Sequence, residues 1–350
     1  MDEPTELTLA RAAGLLADRT LSPVELLHAH LDRIHELDDR VKAFVTVTED
    51  RARADAATAE AEIGAGRHRG PLHGIPVVVK DLIATAGVRT TAGSRILKEW
   101  VPDNDAAVVR KLKDAGAVIV GKVTTHEFAA SVFTPPTRNP WNLDHIPGGS
   151  SGGSAAALAA HMCLGAIGTD TAGSIRIPAS LCGVVGLKPT HDLVSRQGVV
   201  PLSWSLDHIG PMARSVEDVA LILEALTERA TEPSLSQPPT GLRLGVPNEF
   251  FFDDVNGDVA ASVLGAIDHL GSLGMERREV TLPTVDLAPI AGDAILLPES
   301  SAYHARWLRT RPNDYGRDVR TLLELGEFVL ATDYLRAQRV RTAVAQEFTR

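Results

Sequence analysis

Short apolar runs rich in β-branched residues alternate with helical segments through the first two thirds of this chain. Ile75 to Val79 is one such run, AVIV at 117–120 is a second, and Leu164 to Ile167, ending at Gly168, is a third. The stretch from Ala106 to Ala115 has the composition and spacing of a helix. Buried strands that alternate with helices form a largely parallel or mixed sheet covered by those helices. The pattern therefore predicts an α/β fold with a mixed central β-sheet flanked by helices.

Further elements are predicted on both sides of this region. Ser22-Pro23-Val24-Glu25 has the pattern of a capping box with proline at the first helical position, so a helix begins there. TEPSLSQPPT at 231–240 is rich in proline and serine and predicts a surface loop. The remaining predicted helices lie at about 50–65, from Ser215 to about 229, at 258–273 and around 337–348, and the remaining strands are LRLGVP at 242–247 and RREVTLP at 277–283.

Composition excludes several classes of protein. The 350 residues suffice for one large α/β domain, and the 44% of hydrophobic residues is ordinary for a soluble protein. A net charge of −10 disfavours direct binding to nucleic acid or to an anionic membrane. The N-terminus lacks the basic region of a signal peptide, and no apolar run approaches the roughly 20 residues of a membrane span. We therefore expect a cytoplasmic protein. No cluster of metal ligands is visible, and Cys163 and Cys182 form no metal or disulfide pattern, so no cofactor is expected.

Three stretches carry the chemistry: GIPVVVKD with Lys80, PGGSSGGS with Ser150 and Ser151, and GTDTAGSIRIPAS with Ser174. A serine hydroxyl is a weak nucleophile that needs a base within hydrogen-bond reach. A lysine can be that base only when burial lowers its pKa by several units, and Lys80 follows an apolar strand that suits burial. Ser150 would lie between the two and pass the proton from Ser174 to Lys80. Small residues before Ser174 allow a tight turn whose backbone N–H groups can hold an oxyanion.

Other interpretations of these stretches are weaker. The glycine-rich run lacks the GK[ST] ending of a P-loop, and Ser174 is not in a GxSxG nucleophile elbow. Asp81 points to the opposite face from Lys80 if the strand persists, so it need not pair with that lysine. Four histidines are possible triad bases, but their polar loop contexts favour solvated or capping roles: His126, His145, His191 and His208.

Taken together, these stretches resemble the amidase signature family. Lys80, Ser150 and Ser174 match its catalytic lysine, bridging serine and nucleophile, and the two serines are separated by 24 residues as in the family. The resemblance covers nearly the whole chain from about residue 6. Further matching segments are GKVTTHEFA at 121–129, RNPWN at 138–142, CGVVGLKPT at 182–190, SLDHIGPMARSVEDVA at 205–220 and SAYHARWL at 301–308.

The resemblance implies a site and a mechanism. Ser174 attacks an amide carbonyl, Ser150 relays its proton to neutral Lys80, and water hydrolyses the acyl-enzyme.

The peptide bond between Gly149 and Ser150 is expected to be cis, as in the family. Arg176 binds either a substrate carboxylate or an internal acid, and the internal role is favoured. The oxyanion is held by the N–H groups of Thr171, Ala172, Gly173 and Ser174, although Ala172 stands where many members have glycine, and Ser151 and Asp170 orient the relay.

The resemblance also implies how the chain is organised and what it acts on. We expect one amidase signature domain over 1–350, with N-terminal helices at about 6–65, a core at about 71–220 and a peripheral α/β part at about 240–350. The C-terminal portion usual in the family is expected to be missing. The expected function is hydrolysis of small amide or ureido substrates, with a possible homodimer.

Two alternatives stay open. The first is the glutaminase (amidotransferase) subunit of a tRNA-dependent transamidation complex, which often has GKTNMDEFA where this chain has GKVTTHEFA. The second is a non-catalytic or incomplete member of the family that keeps the scaffold.

Overall fold

A six-stranded mixed sheet forms the centre of the first of two units in the computed structural model, which describes residues 3–230 and 235–349. The strand order is β1-β3-β2-β4-β6-β5; β2 runs parallel to β3 and β4, and the other pairs are antiparallel. The mixed sheet predicted from the sequence is therefore confirmed. Its strands are β1 Phe44–Val47, β2 Pro76–Lys80, β3 Val118–Val123, β4 Gly165–Asp170, β5 Val185–Gly186 and β6 His208–Ala213.

Two helices of this unit begin at the capping residues that the sequence indicates. Ser22 caps the helix that begins at Pro23 by accepting hydrogen bonds from the N–H groups of Val24 and Glu25. The Glu25 carboxylate accepts from the N–H of Ser22, so the capping box is confirmed. Ser215 caps α7 through its side chain as well. The helices are α1 Leu9–Ala17, α2 Pro23–Val41, α3 Glu49–Gly64, α4 Ala107–Asp114, α5 Gly152–Ala159, α6 Arg176–Cys182 and α7 Val216–Thr227.

Strand β2 is buried on both faces, and this positions Lys80. Val77 and Val79 belong to one hydrophobic core, and Val78 belongs to the other, which also contains Ala155–Leu158 of α5. Side chains alternate along a strand, so Lys80 lies on the Val78 face of the sheet, the face that α5 covers. A strand covered by helices on both faces has a continuous apolar sequence, as it does here.

The alternation in β3 is interrupted by a bulge. Val77 pairs with Ile119, but the next residue, Val78, pairs with Gly121, so one residue of β3 is extra. A Cβ added at Gly121 would collide with the carbonyl oxygen of Thr46 on β1. The bulge therefore requires glycine, and it places the following residue, Lys122, opposite Val79 rather than on the Lys80 face.

The second unit contains a small parallel sheet. It is formed from Glu232–Ser301 and Glu324–Arg350, and β7 Arg243–Pro247 pairs in parallel with β8 Glu276–Val280. Both strands and α8 Gly257–Ser272 agree with the sequence prediction to within a few residues. Of the predicted loop at 231–240, residues 231–234 lie outside the described residues. Further helices described in the structure are α9 Ala288–Thr310, α10 Arg317–Gly326 and α11 Ala331–Glu347.

Residues Ala302–Leu323 belong to the first unit, whereas the expectation from the sequence placed them in the peripheral part at about 240–350. An aromatic cluster accounts for the difference: Phe128 lies 4.3 Å from His304 and 5.9 Å from Tyr315 between ring centroids. In addition, the Glu127 carboxylate accepts a hydrogen bond from the N–H of Gly316 at 2.7 Å. Among the described residues, no helix is long and apolar enough to cross a membrane.

Candidate active site

Lys80 is completely buried at the end of β2, and its amine has two hydroxyl partners. Nζ lies 2.8 Å from Ser150 Oγ and 2.7 Å from Thr169 Oγ1. Burial lowers the pKa of Lys80 to about 7, because desolvation disfavours the ammonium form more than the nearby carboxylates of Asp170 and Asp207 favour it. A large fraction of this lysine is therefore a neutral amine near neutral pH, as a proton acceptor must be.

The segment that carries Ser150 is fixed from several sides. The Gly149–Ser150 peptide bond is cis, as expected from the family resemblance. The carbonyl oxygen of Ser150 accepts hydrogen bonds from Thr134 Oγ1 at 3.2 Å and from the N–H of His126 at 3.3 Å. These contacts hold the backbone of Ser150 while its hydroxyl faces Lys80.

Ser151 ties the same segment to β4. Its hydroxyl donates to the carbonyl oxygen of Thr169 at 3.1 Å and accepts from the N–H of Thr169 at 3.2 Å. Its own N–H donates to the carbonyl oxygen of Ser174 at 3.1 Å. Ser151 therefore brings together the segments that carry Ser150, Thr169 and Ser174, and Ser174 itself is 7% exposed.

Asp170 is the last residue of β4, which extends two residues beyond the predicted end at Gly168. Its carboxylate receives Arg176 through Nε at 3.0 Å and Nη2 at 2.9 Å. Burial raises the pKa of Asp170, but the guanidinium and the surrounding amide donors outweigh that effect and leave the pKa below its ordinary value. Arg176 thus binds an internal acid, which is the role favoured from the sequence.

The same carboxylate changes the expected composition of the oxyanion hole. Gly173 has φ +124°, and its N–H donates to Asp170 Oδ1 at 2.8 Å. This N–H therefore already has a partner, whereas the oxyanion hole expected from the family resemblance would also use it. Within the described residues, the N–H groups of Thr171, Ala172 and Ser174 have no such partner.

Two residues of the site were not predicted from the sequence. Thr169 is the second partner of Lys80, and buried Asp207 accepts a hydrogen bond from the hydroxyl of Thr171 at 2.6 Å. Thr169 lies near the end of β4, on a strand whose register with β2 the sequence does not reveal. Asp207 directly precedes β6 in a segment noted only for its family resemblance.

A second buried lysine lies on the opposite face of the sheet. Lys122 Nζ is 3.6 Å from Asp81 Oδ1, and it donates to the carbonyl oxygen of Ile83 at 2.6 Å. The Asp81 carboxylate also accepts from the hydroxyl of Thr91 at 2.5 Å. Asp81 is therefore the partner of Lys122, in agreement with the prediction that it need not pair with Lys80.

The histidines differ from one another in their environment. His145 and His191 are exposed, as predicted, and His208 is half-buried. His126 is 5% exposed, and its Nε2 lies 3.1 Å from Asp318 Oδ2. The prediction of a solvated or capping role was wrong for His126, because its partner is 192 residues further along the chain.

Several known proteins are similar to this chain over most of its length. The chain is 50% identical to an amidase from Pseudomonas putida over 100% of this chain and 78% of that protein. It is 40% identical to a glutamyl-tRNA(Gln) amidotransferase subunit from Carboxydothermus hydrogenoformans, over 95% of this chain and 77% of that protein. A crystal structure of an amidase superposes with a TM-score of 0.91 at 35% identity, covering 98% of this chain and 79% of that one. The model of the Amidase family matches residues 25–350. The chain therefore belongs to the amidase (amidase signature) family.

Proposed function

We propose that this chain hydrolyses the C–N bond of small amide or ureido substrates by Ser-cisSer-Lys catalysis through an acyl-enzyme. The observation that carries the proposal is the buried amine of Lys80, 2.8 Å from the hydroxyl of Ser150. A lysine with this burial and this partner is suited to accept a proton, whereas a structural lysine is more often paired with a carboxylate, as Lys122 is with Asp81.

The proposed reaction uses the residues in a fixed order. The Ser174 hydroxyl attacks the carbonyl carbon, and its proton moves through the Ser150 hydroxyl to neutral Lys80. The N–H groups of Thr171, Ala172 and Ser174 hold the negative oxygen that forms. The proton then returns through Ser150 to the departing nitrogen as the C–N bond breaks. Water, activated by the same relay, releases the acyl group and restores the Ser174 hydroxyl.

The pKa of Lys80 sets the expected pH dependence of this reaction. Lys80 accepts a proton only when it is neutral, so the rate of acylation is expected to fall as pH drops through the Lys80 pKa of about 7. At pH values below the Lys80 pKa, the rate should decrease about tenfold for each unit by which the pH falls, because the neutral fraction of Lys80 decreases by the same factor. The measurement is kcat/KM against pH with an amide substrate. A rate that does not change across this range would contradict the assignment of Lys80 as the base.

A cavity of about 240 Å³ beside the relay supports a small substrate. Thr169 and Asp207 contribute to its wall, and most of the other lining side chains are apolar, including Val199, Val200 and Trp204. A small acyl or amine group would fit into a cavity of this size. The cavity is therefore consistent with the small amide or ureido substrates of the proposal.

The first test uses a fluorophosphonate and intact-protein mass spectrometry. Wild-type protein is expected to gain one adduct, and Ser174→Ala is expected to gain none. Lys80→Met should slow labelling by at least about 10²-fold, because removal of the general base costs roughly 10²–10⁴ in rate. Ser154→Ala, a buried serine of α5 outside the relay, is the matched control and should label at nearly the wild-type rate. No adduct on the folded wild type would favour a non-catalytic member of the family.

A second candidate function is supported by the relatives named as glutamyl-tRNA(Gln) amidotransferase subunits, which are about 40% identical over most of the chain. In that case glutamine is the substrate and activity depends on partner proteins. An amide panel separates the two: hydrolysis of simple amides by the isolated chain supports the amidase, whereas activity on glutamine alone, and only with the partners added, supports the second candidate.

We also propose that the two units act as one amidase domain. The family match extends from residue 25 to residue 350 and includes both units. If so, calorimetric unfolding is expected to give a single cooperative transition, and two separate transitions would contradict it.

A further inference from the structure

Asp207 is a buried carboxylate held by neutral donors. Its Oδ1 accepts from the hydroxyl of Thr171 at 2.6 Å, and Oδ2 accepts from the N–H of Leu202 at 2.9 Å. The N–H of Ser203 lies 3.2 Å from both carboxylate oxygens. Asp207 is 8% exposed, so this negative charge is largely removed from water. Burying a carboxylate is costly, and closing a loop would not by itself require a charged group.

The sheet register explains why Asp207 meets Thr171. In the antiparallel pair of β4 and β6, Asp170 is opposite His208. One step beyond this pair, Thr171 is opposite Asp207, just outside the ends of the two strands. Thr171 is the first residue of the segment that leads to Ser174. The hydrogen bond between the Thr171 hydroxyl and Asp207 therefore continues the pairing of β4 and β6 by one step. It reaches into the segment proposed to form the oxyanion hole.

Asp170 and Asp207 hold this segment in different ways. Asp170 binds the N–H groups of Gly173 and Ile175, and the guanidinium of Arg176 meets its charge. Asp207 binds the segment through a hydroxyl. The charge of Asp207 is met by Arg196, which acts on it electrostatically from the loop before β6.

The base of the proposed relay lies close to this charge. Thr169, which receives the amine of Lys80 at 2.7 Å, lines the same cavity as Asp207. Burial lowers the pKa of Lys80, and the charges of Asp170 and Asp207 oppose that effect. The other charged or titratable groups described around this region are Arg176 at the start of α6, Lys188 and Arg196 in the loop before β6, and half-buried His208 at the start of β6.

We propose that Asp207 is a positioning residue of this site, which fixes the oxyanion segment through the Thr171 hydroxyl and places a buried negative charge beside the Lys80 relay. This inference rests on the proposed function. It assigns to one side chain two separable effects: a geometric one that needs the hydrogen bond to Thr171, and an electrostatic one that needs the negative charge.

Two variants separate these effects. Asp207→Asn removes the charge and keeps a hydrogen-bond acceptor. Thr171→Val removes the hydroxyl and keeps the charge. The readout is the rate of Ser174 labelling by a fluorophosphonate as a function of pH, followed by intact mass. Asp207→Asn is expected to move the acid limb of this profile to lower pH, because a negative charge that favours the ammonium form of Lys80 is lost.

Thr171→Val is expected to lower the maximal labelling rate about tenfold or more and to leave the acid limb where it is in the wild type. Asp207→Glu retains the charge and is the conservative control: its limb should stay at the wild-type pH while its maximal rate falls. If Asp207 only supported the loop, all three variants would have lower labelling rates or lower stability. The acid limb of the Asp207→Asn profile would then stay at the wild-type pH.

The outcomes are distinct. An unmoved acid limb in Asp207→Asn overturns the electrostatic half, and a wild-type maximal rate in Thr171→Val overturns the geometric half. If Asp207→Asn does not fold, Asp207→Ser, which also removes the charge, takes its place, and an unmoved acid limb in that variant overturns the electrostatic half in the same way. A wild type without any labelling overturns the proposed function and this inference together, whereas a labelled wild type with unaltered variants overturns only the inference.

Discussion

At the scale of single residues, Lys80 opposes folding whenever its amine is charged, because no carboxylate is in direct contact with it among the described residues. Burial lowers the pKa of this lysine from 10.5 to about 7 in the folded protein. Between these two values the unfolded chain binds a proton that the folded chain has released. The free energy of unfolding therefore rises with pH over this range, and below pH 7 both states are protonated, so the contribution no longer changes.

This linkage predicts a difference between wild type and Lys80→Met. The free energy of unfolding of the wild type, minus that of the variant, is expected to rise by about 1.4 kcal/mol per pH unit above pH 7. Urea denaturation at a series of pH values measures it. Lys98→Met, at a lysine whose side chain is 64% exposed, is the control and should give a difference independent of pH. If the free energies of unfolding of the wild type and Lys80→Met changed with pH in the same way, Lys80 would not be desolvated in the folded protein.

The ion pair of Arg176 with Asp170 gives a second prediction at this scale. Arg176→Gln leaves the buried Asp170 carboxylate with amide donors only, so the protein should lose about 1–3 kcal/mol of stability and label Ser174 more slowly. Chemical denaturation measures the loss of stability, and the rate of fluorophosphonate labelling measures the change in the reactivity of Ser174. The control is Arg53→Gln, which breaks the more exposed pair with Glu49 on α3 and should cost less than about 1 kcal/mol. Equal losses in both variants would contradict a special role for Arg176.

Single residues could be identified from the sequence only where their own chemistry and context stood out. Lys80, Ser150 and Ser174 stand among small or apolar residues, so they could be predicted as catalytic residues from the sequence. The partner of Arg176 remained open between a substrate and an internal acid, because both are carboxylates. Thr169 and Asp207 were missed, since their roles arise from strand register and burial, which no local pattern encodes.

At the scale of elements, the bulge in β3 is the feature on which the two lysine environments depend. Gly121→Ala would place a methyl group against the carbonyl oxygen of Thr46, so the bulge must distort or β1 must move. We expect a loss of about 1–3 kcal/mol in the free energy of unfolding. Chemical denaturation measures this loss.

The matched control is Gly14→Ala on α1, where an added Cβ meets no atom within 4 Å. Alanine is the better helix former, so this variant should gain about 0.5–1 kcal/mol. A Gly121→Ala protein as stable as Gly14→Ala would mean that β1 yields readily and the bulge is not fixed by glycine.

In the central sheet of the first unit, β2, β3 and β4 were predicted from the sequence, whereas β1, β5 and β6 were not. Capping signals such as Ser22 and Ser215 located helix starts because they satisfy backbone groups locally. Strand β4 continues past Gly168 to Asp170 because it pairs with β6, whose residues lie far along the chain. The bulge at Gly121 is likewise a property of the strand pairs.

At the scale of the whole molecule, the first unit is assembled from two distant parts of the chain. Phe128 is 1% exposed and packs with His304, Trp307 and Tyr315 of the later segment. Phe128→Ala should therefore cost about 3–5 kcal/mol and increase hydrogen exchange across 302–323. Phe328→Ala, at a phenylalanine that is 80% exposed, should change stability by less than about 0.5 kcal/mol. Unchanged exchange in Phe128→Ala would show that other contacts hold this segment.

The fold class and the family could be predicted from the sequence because many short segments agreed with one another along the chain. The membership of Ala302–Leu323 in the first unit could not, because it depends on contacts such as that of Glu127 with Gly316, separated by 189 residues. Local patterns record what a segment prefers, and they do not record which remote segment it meets.

The extra residue in β3 also has a consequence for how this chain can vary in length. Without the bulge, strict alternation would turn Lys122 to the face that holds Lys80, and two amines would share one proton-accepting site. Each would then titrate in response to the other. A change of one residue in the length of β3 would therefore change which face of the sheet carries the amine of Lys122. We expect single-residue insertions or deletions in β3 to be tolerated much less well than substitutions there.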